Sequence, residues 1–259
     1  MLMLLNFKEK IKKCFKKALL IILIAFFNIS PVLSQQTIIN LPSSEVLPQG
    51  NIILKESTRF RPSGSDGYTS ITPTIITGIG HGLELSVGVG STIDKDFNTN
   101  VKGDIGLKKV IFLGSSTRLT VGGSITPSFM TSVTPDTFTY AHVTQRIKKT
   151  RTSLTAGAYM NGQQHFLNTG GVAFGIDQVL IPNKLRLVFD WMSGEQNYGR
   201  MGVGLKYRPI PTLSVTSAVI IPNKDSESIS FNISVSKNIS IDEIKQTKRR
   251  VNDEKENSL

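Results

Sequence analysis

The chain has 259 residues, of which 39% are apolar and 7% aromatic, with 30 basic residues, 19 acidic residues and a single cysteine. This composition excludes a disulfide scaffold, a collagen, an acidic disordered protein and a polytopic helical membrane protein. The order of the residues must therefore carry whatever distinguishes this chain.

The first 34 residues have the pattern of a secretory signal peptide. Six lysines precede an unbroken apolar run from Ala18 to Phe27, and residues of small or modest size lead up to Ser34. This run is about half of the roughly 20 apolar residues that a bilayer-spanning helix needs, which favours cleavage over a retained anchor. We predict a signal peptide over residues 1–34, cleaved after Ser34. Cys14 would leave with it, so the mature chain would have no thiol for catalysis or metal binding.

The charge that remains after cleavage is moderate. Removing the leader's six lysines and one glutamate leaves 24 basic and 18 acidic residues, without a basic stripe interleaved with aromatics. Nucleic acid is therefore not an expected partner. We predict that residues 35–49 form an extended periplasmic segment and that residues 237–259 form a charged periplasmic tail.

Residues 50–236 show strict alternation of apolar and polar side chains, which is typical of strands with two different faces. Twelve candidate strands share this range, with about 16 residues for each strand and its connection, enough for the roughly 10-residue strands of a membrane barrel. The pattern predicts an all-β fold, a single closed antiparallel transmembrane β-barrel of about 12 strands.

The connections alternate between tight turns and longer polar loops. The tight turns are residues 78–82, 112–116, 147–151, 181–184 and 209–211. The longer loops are residues 61–67, 91–98, 131–136, 161–168, 193–197 and 222–227. Short turns at one end and long loops at the other are the layout of an outer-membrane barrel, with the short turns in the periplasm. The predicted location is the outer membrane of a Gram-negative bacterium, with its lipid as a partner.

The alternation assigns side chains to the two faces of the wall. The predicted lipid-facing residues are Leu85, Val87, Ile105, Leu119, Val121, Leu187, Phe189, Val203, Leu205, Phe231 and Ile233. The predicted lumen-lining residues are Glu84, Lys102, Asp104, Lys108, Arg118, Asp177, Arg186, Asp190, Arg200, Lys206 and Arg208. Aromatic residues near the long loops are predicted to form an outer interfacial girdle, namely Phe129, Phe138, Tyr140, Tyr159, Trp191 and Tyr198.

Hairpin register predicts two ion pairs inside the barrel. A loop centred on Glu195 would set Asp190 opposite Arg200, and the turn at residues 181–184 would bring Asp177 close to Arg186. The remaining wall charges are mainly basic, so an open path would weakly prefer anions. The alternative is that these charges only neutralise each other in a closed barrel.

Three segments carry a family resemblance. LPSSEVLPQGNIILKE (residues 41–56), SITPTIITGIGHGLELSVGVG (residues 70–90) and MGVGLKYRP (residues 201–209) resemble the meta-pathway phenol-degradation and transporter-like barrels of the outer membrane. The resemblance implies a barrel that handles a small hydrophilic or aromatic solute. One departure is that 23 residues follow the predicted last strand, residues 228–236, whereas many such barrels end on an aromatic residue.

Enzymatic sites are not predicted. Outer-membrane phospholipases have a motif resembling H-x-S-N-G, but the sequence after His142 is Val-Thr-Gln-Arg, which lacks the serine nucleophile and the oxyanion donor. His81 and His165 stand apart from spaced carboxylates, so neither a metal nor a cofactor is expected. Two functions remain, a narrow channel or transporter for small solutes, and a plugged structural or adhesive barrel that binds through its loops.

Overall fold

The computed structural model describes residues 37–62, 67–129, 135–163, 166–195 and 198–240. The predicted signal peptide with its cleavage site at Ser34, the tail from residue 241 onward and His165 lie outside these residues. Within the described part of the chain, no helix is long and apolar enough to cross a membrane.

Twelve antiparallel strands close into one barrel in which each strand pairs with its neighbours in the sequence, and the first pairs with the last. In chain order they are β1 Asn51–Arg61, β2 Tyr68–Gly80, β3 Leu83–Asp94, β4 Thr99–Phe112, β5 Thr117–Thr126, β6 Asp136–Ile147, β7 Thr152–Gln163, β8 Phe166–Ile181, β9 Leu185–Met192, β10 Arg200–Ile210, β11 Leu213–Pro222 and β12 Ser230–Ser240. The predicted fold is confirmed.

The two faces of the wall differ as the alternation predicts. In β3 and β4 the inward-facing Glu84 and Lys108 are fully buried, whereas the outward Ile105 and Leu107 are 51% and 50% exposed. All eleven residues predicted to face outward do so, each beside outward-facing partners on neighbouring strands. A continuous belt of exposed isoleucine, leucine, valine and phenylalanine is far larger than the apolar patches that water-soluble proteins tolerate.

The tight turns lie together at one end of the barrel. They comprise residues 81–82, 113–116, 148–151, 182–184 and 211–212. Three of them contain a non-glycine residue in the left-handed region, with φ of 51° at His81, 56° at Arg151 and 60° at Asn183. This conformation reverses the chain within a few residues. We call this end of the barrel the tight-turn end.

Two predicted boundaries are wrong. Strand β12 continues through Ser240, so Lys237 to Ser240, predicted as part of the tail, pair with β1 and β11. The predicted loop at residues 161–168 is mostly strand, because β7 runs to Gln163 and β8 begins at Phe166. Polar side chains obscured both strand ends in the sequence, although backbone pairing does not require apolar residues.

The predicted aromatic girdle is wrong for four of its six residues. Phe138, Tyr140 and Tyr159 are buried inside the barrel, and Tyr198 packs against them. Trp191 lies on the outward face, opposite Phe174 and Met201. Phe138 and Tyr140 share their strand face with His142 and Thr144. These polar neighbours were the signal in the sequence that the two rings point inward.

Candidate functional site inside the barrel

Residues 37–49, which we call the lumenal segment, lie inside the barrel and not in an extended periplasmic arm. Ile38, Ile39, Leu41 and Leu47 are all at least 92% buried, and polar atoms of the segment hydrogen-bond inward-facing residues of the wall on several strands. The prediction of a periplasmic segment is therefore wrong for the described residues. The physical reason is that a chain of apolar side chains and free peptide groups finds both burial and hydrogen-bond partners in the lumen.

The segment joins the wall at the tight-turn end. The N–H of Gly50 donates to the carbonyl of Gly78 at 3.2 Å, and a Cβ at position 78 would lie 2.2 Å from the carbonyl oxygen of Pro48. Only glycine permits this close approach of two backbones. The lumenal segment is therefore anchored directly to strand β1 at its C-terminal end.

A reverse turn at residues 38–41 is held by one carboxylate of the wall. The N–H of Ile38 donates to the carbonyl of Leu41 at 2.7 Å, which leaves three successive N–H groups free. The N–H groups of Ile39, Asn40 and Leu41 all donate to Asp190 Oδ2, at 2.8, 2.6 and 2.8 Å. The Asn40 side chain adds a bond from Nδ2 to Asp190 Oδ1 at 2.9 Å. A fully buried carboxylate is satisfied here by backbone dipoles and an amide alone.

The predicted pairing of Asp190 with Arg200 is wrong. Asp190 lies opposite Gly202, and Arg200 lies opposite Met192. The connection between β9 and β10 is centred on residue 196 instead of residue 195, which moves the register by two residues. Asp190 thereby lacks a cationic partner across the strand and is available to the lumenal segment.

Two glycines in the wall make room for this turn. A Cβ at Gly202 would lie 2.8 Å from Asp190 Oδ1 and 3.0 Å from Ile39 Cγ2, and a Cβ at Gly175 would lie 2.6 Å from Ile38 Cδ1. Any larger side chain on this part of β8 or β10 would occupy the space of the segment. The small residues on the inward face are therefore part of the binding surface for the turn.

The middle of the segment is held by hydroxyls and by a buried ion pair. Ser44 Oγ hydrogen-bonds the hydroxyls of Thr120 and Thr144. Glu84 and Lys108 are both fully buried, with Nζ and Oε1 2.8 Å apart. Lys108 Nζ also donates to the carbonyl of Glu45 at 2.7 Å, and the N–H of Leu47 donates to Glu84 Oε2 at 3.2 Å. The ion pair thus binds the backbone of the segment from both of its members.

The Glu45 side chain points into a cluster of cations. Its Oε1 lies 2.7 Å from Arg186 Nη1, and its Oε2 lies 3.8 Å from Lys206 Nζ. The Lys206 ammonium, together with Arg186, holds the pKa of the Glu45 carboxyl well below its usual range. Arg186 also contacts Asp177 through Nε at 2.7 Å, which is the pair that the turn at residues 181–184 suggests.

Two cavities flank Glu45. The first has a volume of about 420 Å³ and the second about 400 Å³, and both are lined by Glu45, Arg118, Lys206 and Arg208. The first also reaches the turn residues Arg151 and Asn183, and the second reaches Pro211 and Thr212. The cavities therefore occupy the tight-turn end of the lumen.

Aromatic rings pack against one another in another part of the lumen. Phe138 stacks on Tyr198 with ring centroids 4.8 Å apart, and Tyr159 lies 5.8 Å from Phe138. Ile38, Ile39 and Leu41 belong to the same buried cluster as these rings. Apolar contact thus supplements the polar bonds that hold the lumenal segment.

The remaining predicted lumen residues also lie on the inward face. Lys102 Nζ contacts Asp136 Oδ2 at 3.0 Å, and Asp104 Oδ1 accepts from Thr126 Oγ1 at 3.1 Å. Arg118 donates to the carbonyl of Ser44 at 2.9 Å, and Arg208 lines both cavities. Arg200 shares its face with Gly202 in β10. His142 is buried and stacks on Tyr140 with centroids 5.7 Å apart.

Sequence reasoning missed the contribution of residues 37–47 to the site. The signal was present, since four of the five residues from Thr37 to Leu41 are apolar or β-branched and Pro42 follows them. Such a run is unsuited to a solvated linker. Its binding partners, however, lie as many as 151 positions away in the chain, beyond the reach of any local pattern.

The chain was compared with known proteins. No family model matches it, and no curated protein is similar at a significant level. The KdgM porin matches with 11% identity over 71% of this chain and 98% of the porin, at a TM-score of 0.55. KdgM porin in complex with disordered oligogalacturonate matches with 12% identity over 72% of this chain and 98% of that chain, at a TM-score of 0.53. An outer-membrane channel from Pseudomonas putida F1 matches with 10% identity over 76% of this chain and 98% of that chain, at a TM-score of 0.51. At these identities the likeness establishes the fold, that of porin-like outer-membrane barrels.

Proposed function

We propose that the chain is an outer-membrane channel for small solutes, closed in the conformation described here by its lumenal segment. The belt of apolar side chains around the barrel supports a place in a membrane, and the charged inward face supports a polar path. The observation that carries the proposal is that Asp190 accepts hydrogen bonds from three peptide groups of the segment, because these non-covalent bonds hold the segment inside the lumen.

The contacts of the segment are suited to release. Apart from its covalent join to β1, the segment is held by hydrogen bonds and ion pairs, which water or a solute can replace, and by four buried apolar side chains, Ile38, Ile39, Leu41 and Leu47. Two cavities of about 420 and 400 Å³ already lie beside it. Displacement of residues 37–47 would join these cavities to the remaining lumen without any change in the wall.

The test is planar-bilayer recording of the refolded protein and its Asp190→Asn variant. An amide at position 190 replaces one acceptor oxygen by a donor, so the three N–H groups lose part of their charge-assisted bonding. We expect wild-type protein to open rarely and the variant to be open about ten times more often, as the loss of one charge-assisted hydrogen bond predicts.

The matched control is Asp225→Asn, which removes the same charge from an exposed long loop outside the lumen. It should behave as wild type. Heat-modifiable migration on a detergent gel establishes that each variant has folded. Openings that are equally frequent in wild type and Asp190→Asn would contradict the role of Asp190.

The second candidate function is a plugged barrel that binds through its long loops. The packed cluster of Phe138, Tyr140, Tyr159 and Tyr198 favours it, because these rings fill the lumen on the loop side of the segment. Folded protein that remains silent with Asp190→Asn, and also after deletion of residues 38–47, would favour this function over the channel.

The solute of the channel is proposed to be small and hydrophilic or aromatic. The lumenal rings support an aromatic solute, as does the resemblance to the phenol-degradation barrels. We also propose signal-peptide cleavage after Ser34, which would leave Gln35 as the first mature residue, two positions before the lumenal segment.

A further inference from the structure

Two cations face each other directly across β9 and β10. Arg186 and Lys206 are partners in the register, and both point inward. Like charges in this arrangement repel and destabilise a sheet, unless an anion lies between them. These two wall residues therefore form an anion site by themselves, without a contribution from the lumenal segment.

Glu45 supplies the anion in this structure. Its two carboxylate oxygens are divided between the two cations, Oε1 to Arg186 at 2.7 Å and Oε2 to Lys206 at 3.8 Å. The Glu45 side chain is 42% exposed, so one side of the carboxylate remains open to the cavity. It belongs to the lumenal segment and not to the wall. A carboxylate on a tether thus occupies a site that the wall itself creates.

The surrounding chamber has more positive charge than Glu45 and Asp177 can neutralise. The larger cavity is also lined by Arg146, Arg151 and Lys184, none of which forms an ion pair with a described residue. Arg208 lies on both cavities beside Glu45. Guanidinium groups converging on one cavity are the usual means of binding carboxylates and phosphates.

We propose that this chamber, at the tight-turn end, binds small organic anions that carry carboxylate or phosphate groups, and that such an anion competes with Glu45 for Arg186 and Lys206. The inference names the solute class of the channel and in that respect rests on the proposed function. Binding of the anion would free the Glu45 side chain and remove one attachment of the lumenal segment from the wall.

Isothermal titration calorimetry of the full-length, detergent-solubilised protein with citrate tests the competition. Citrate presents several carboxylates and is small enough for a cavity of about 420 Å³. We expect saturable binding that weakens with added salt. Glu45→Gln should tighten binding about tenfold, because the tethered competitor loses its charge, whereas Arg186→Gln and Lys206→Gln should each weaken it about tenfold or more.

Asp136→Asn is the control for net charge. It removes one negative charge from the inward face at the long-loop end, where Asp136 pairs with Lys102. Citrate affinity should change less than about twofold, since screening limits charge effects over such a distance. Heat-modifiable migration again reports folding. Because Arg186→Gln and Lys206→Gln are tested separately, a folding defect in one variant leaves the other to test the site.

Two results would overturn the inference. The first is the absence of saturable citrate binding to wild type and to Glu45→Gln. The second is a Glu45→Gln variant that binds citrate no more tightly than wild type, which would make Glu45 an ordinary structural ion pair. Calorimetry needs no open pore, so citrate binding by a protein silent in bilayers would preserve the site while refuting the channel.

Discussion

At the scale of single residues, buried charge is stabilised by specific partners in the lumen. Asp190 binds peptide N–H groups, and Glu84 is paired with Lys108. Removing an ion from water costs free energy, so a buried charge is stable only when its partners compensate for the lost hydration. Both members of the Glu84–Lys108 pair also hydrogen-bond the backbone of the lumenal segment and so help to fix its position.

The Glu84–Lys108 pair allows a direct measurement of this dependence. Glu84→Gln leaves the Lys108 ammonium buried without its counter-ion, and we expect a loss of about 3–5 kcal/mol in the free energy of unfolding. Urea-induced unfolding in lipid bilayers measures it. The exposed pair of Lys95 and Asp96, 4.0 Å apart, gives the control, since Asp96→Asn should cost less than about 1 kcal/mol. Equal effects of the two substitutions would contradict the burial argument.

At the scale of the strands, period-two alternation determines which side chains face the membrane. Strand β10 shows this most plainly, with Val203, Leu205 and Tyr207 outside and Gly204 and Lys206 inside. A strand can satisfy both environments only if the alternation is unbroken along its length. The inward glycines then leave space for whatever occupies the lumen.

Arginine at the centre of β10 tests the outward face. Leu205 is the middle residue of this strand and is 46% exposed. Leu205→Arg should lower the free energy of unfolding in bilayers by about 2–4 kcal/mol, because the cation is placed near the midplane. Ile210→Arg, at the strand end, should cost only about 0–1 kcal/mol. A harmless Leu205→Arg would mean that this face does not contact lipid.

At the scale of the whole molecule, the barrel separates an apolar exterior from a basic interior. Of the eleven charged wall residues identified from the sequence, seven are basic and four acidic. Two of the four acidic residues form ion pairs with wall cations, Glu84 with Lys108 and Asp177 with Arg186. Fixed positive charge along a narrow path attracts anions and repels cations.

Any open state should therefore prefer anions weakly. Reversal potentials of single openings in a salt gradient measure the preference, and Lys206→Glu should shift it towards cations, because the fixed charge of the cavity wall changes by two units. Lys224→Glu, on an exposed loop, should leave the reversal potential near its wild-type value. A cation-selective wild type, or selectivity that ignores Lys206→Glu, would refute a path beside this residue.

The sequence by itself determined the strands, their number and the outward face. Each of these depends on neighbours two positions apart, as with Leu85 and Val87, and a membrane wall imposes that period on the chain directly. Even the closeness of Asp177 and Arg186 follows from one short turn. Local geometry is sufficient for all of these features.

Only the tertiary structure decided the contents of the lumen. The alternation with His142 and Thr144 places Tyr140 on the inward face, but its packing in one buried cluster with Ile38 and Ile39 depends on barrel closure. The partnership of Asp190 with residues 39–41 spans about 150 positions and required both the true register of β9 and β10 and the folding of the segment inward. Long-range contacts of this kind form because all inward-facing groups compete for burial and for hydrogen-bond partners. No single stretch of the sequence contains all of these groups.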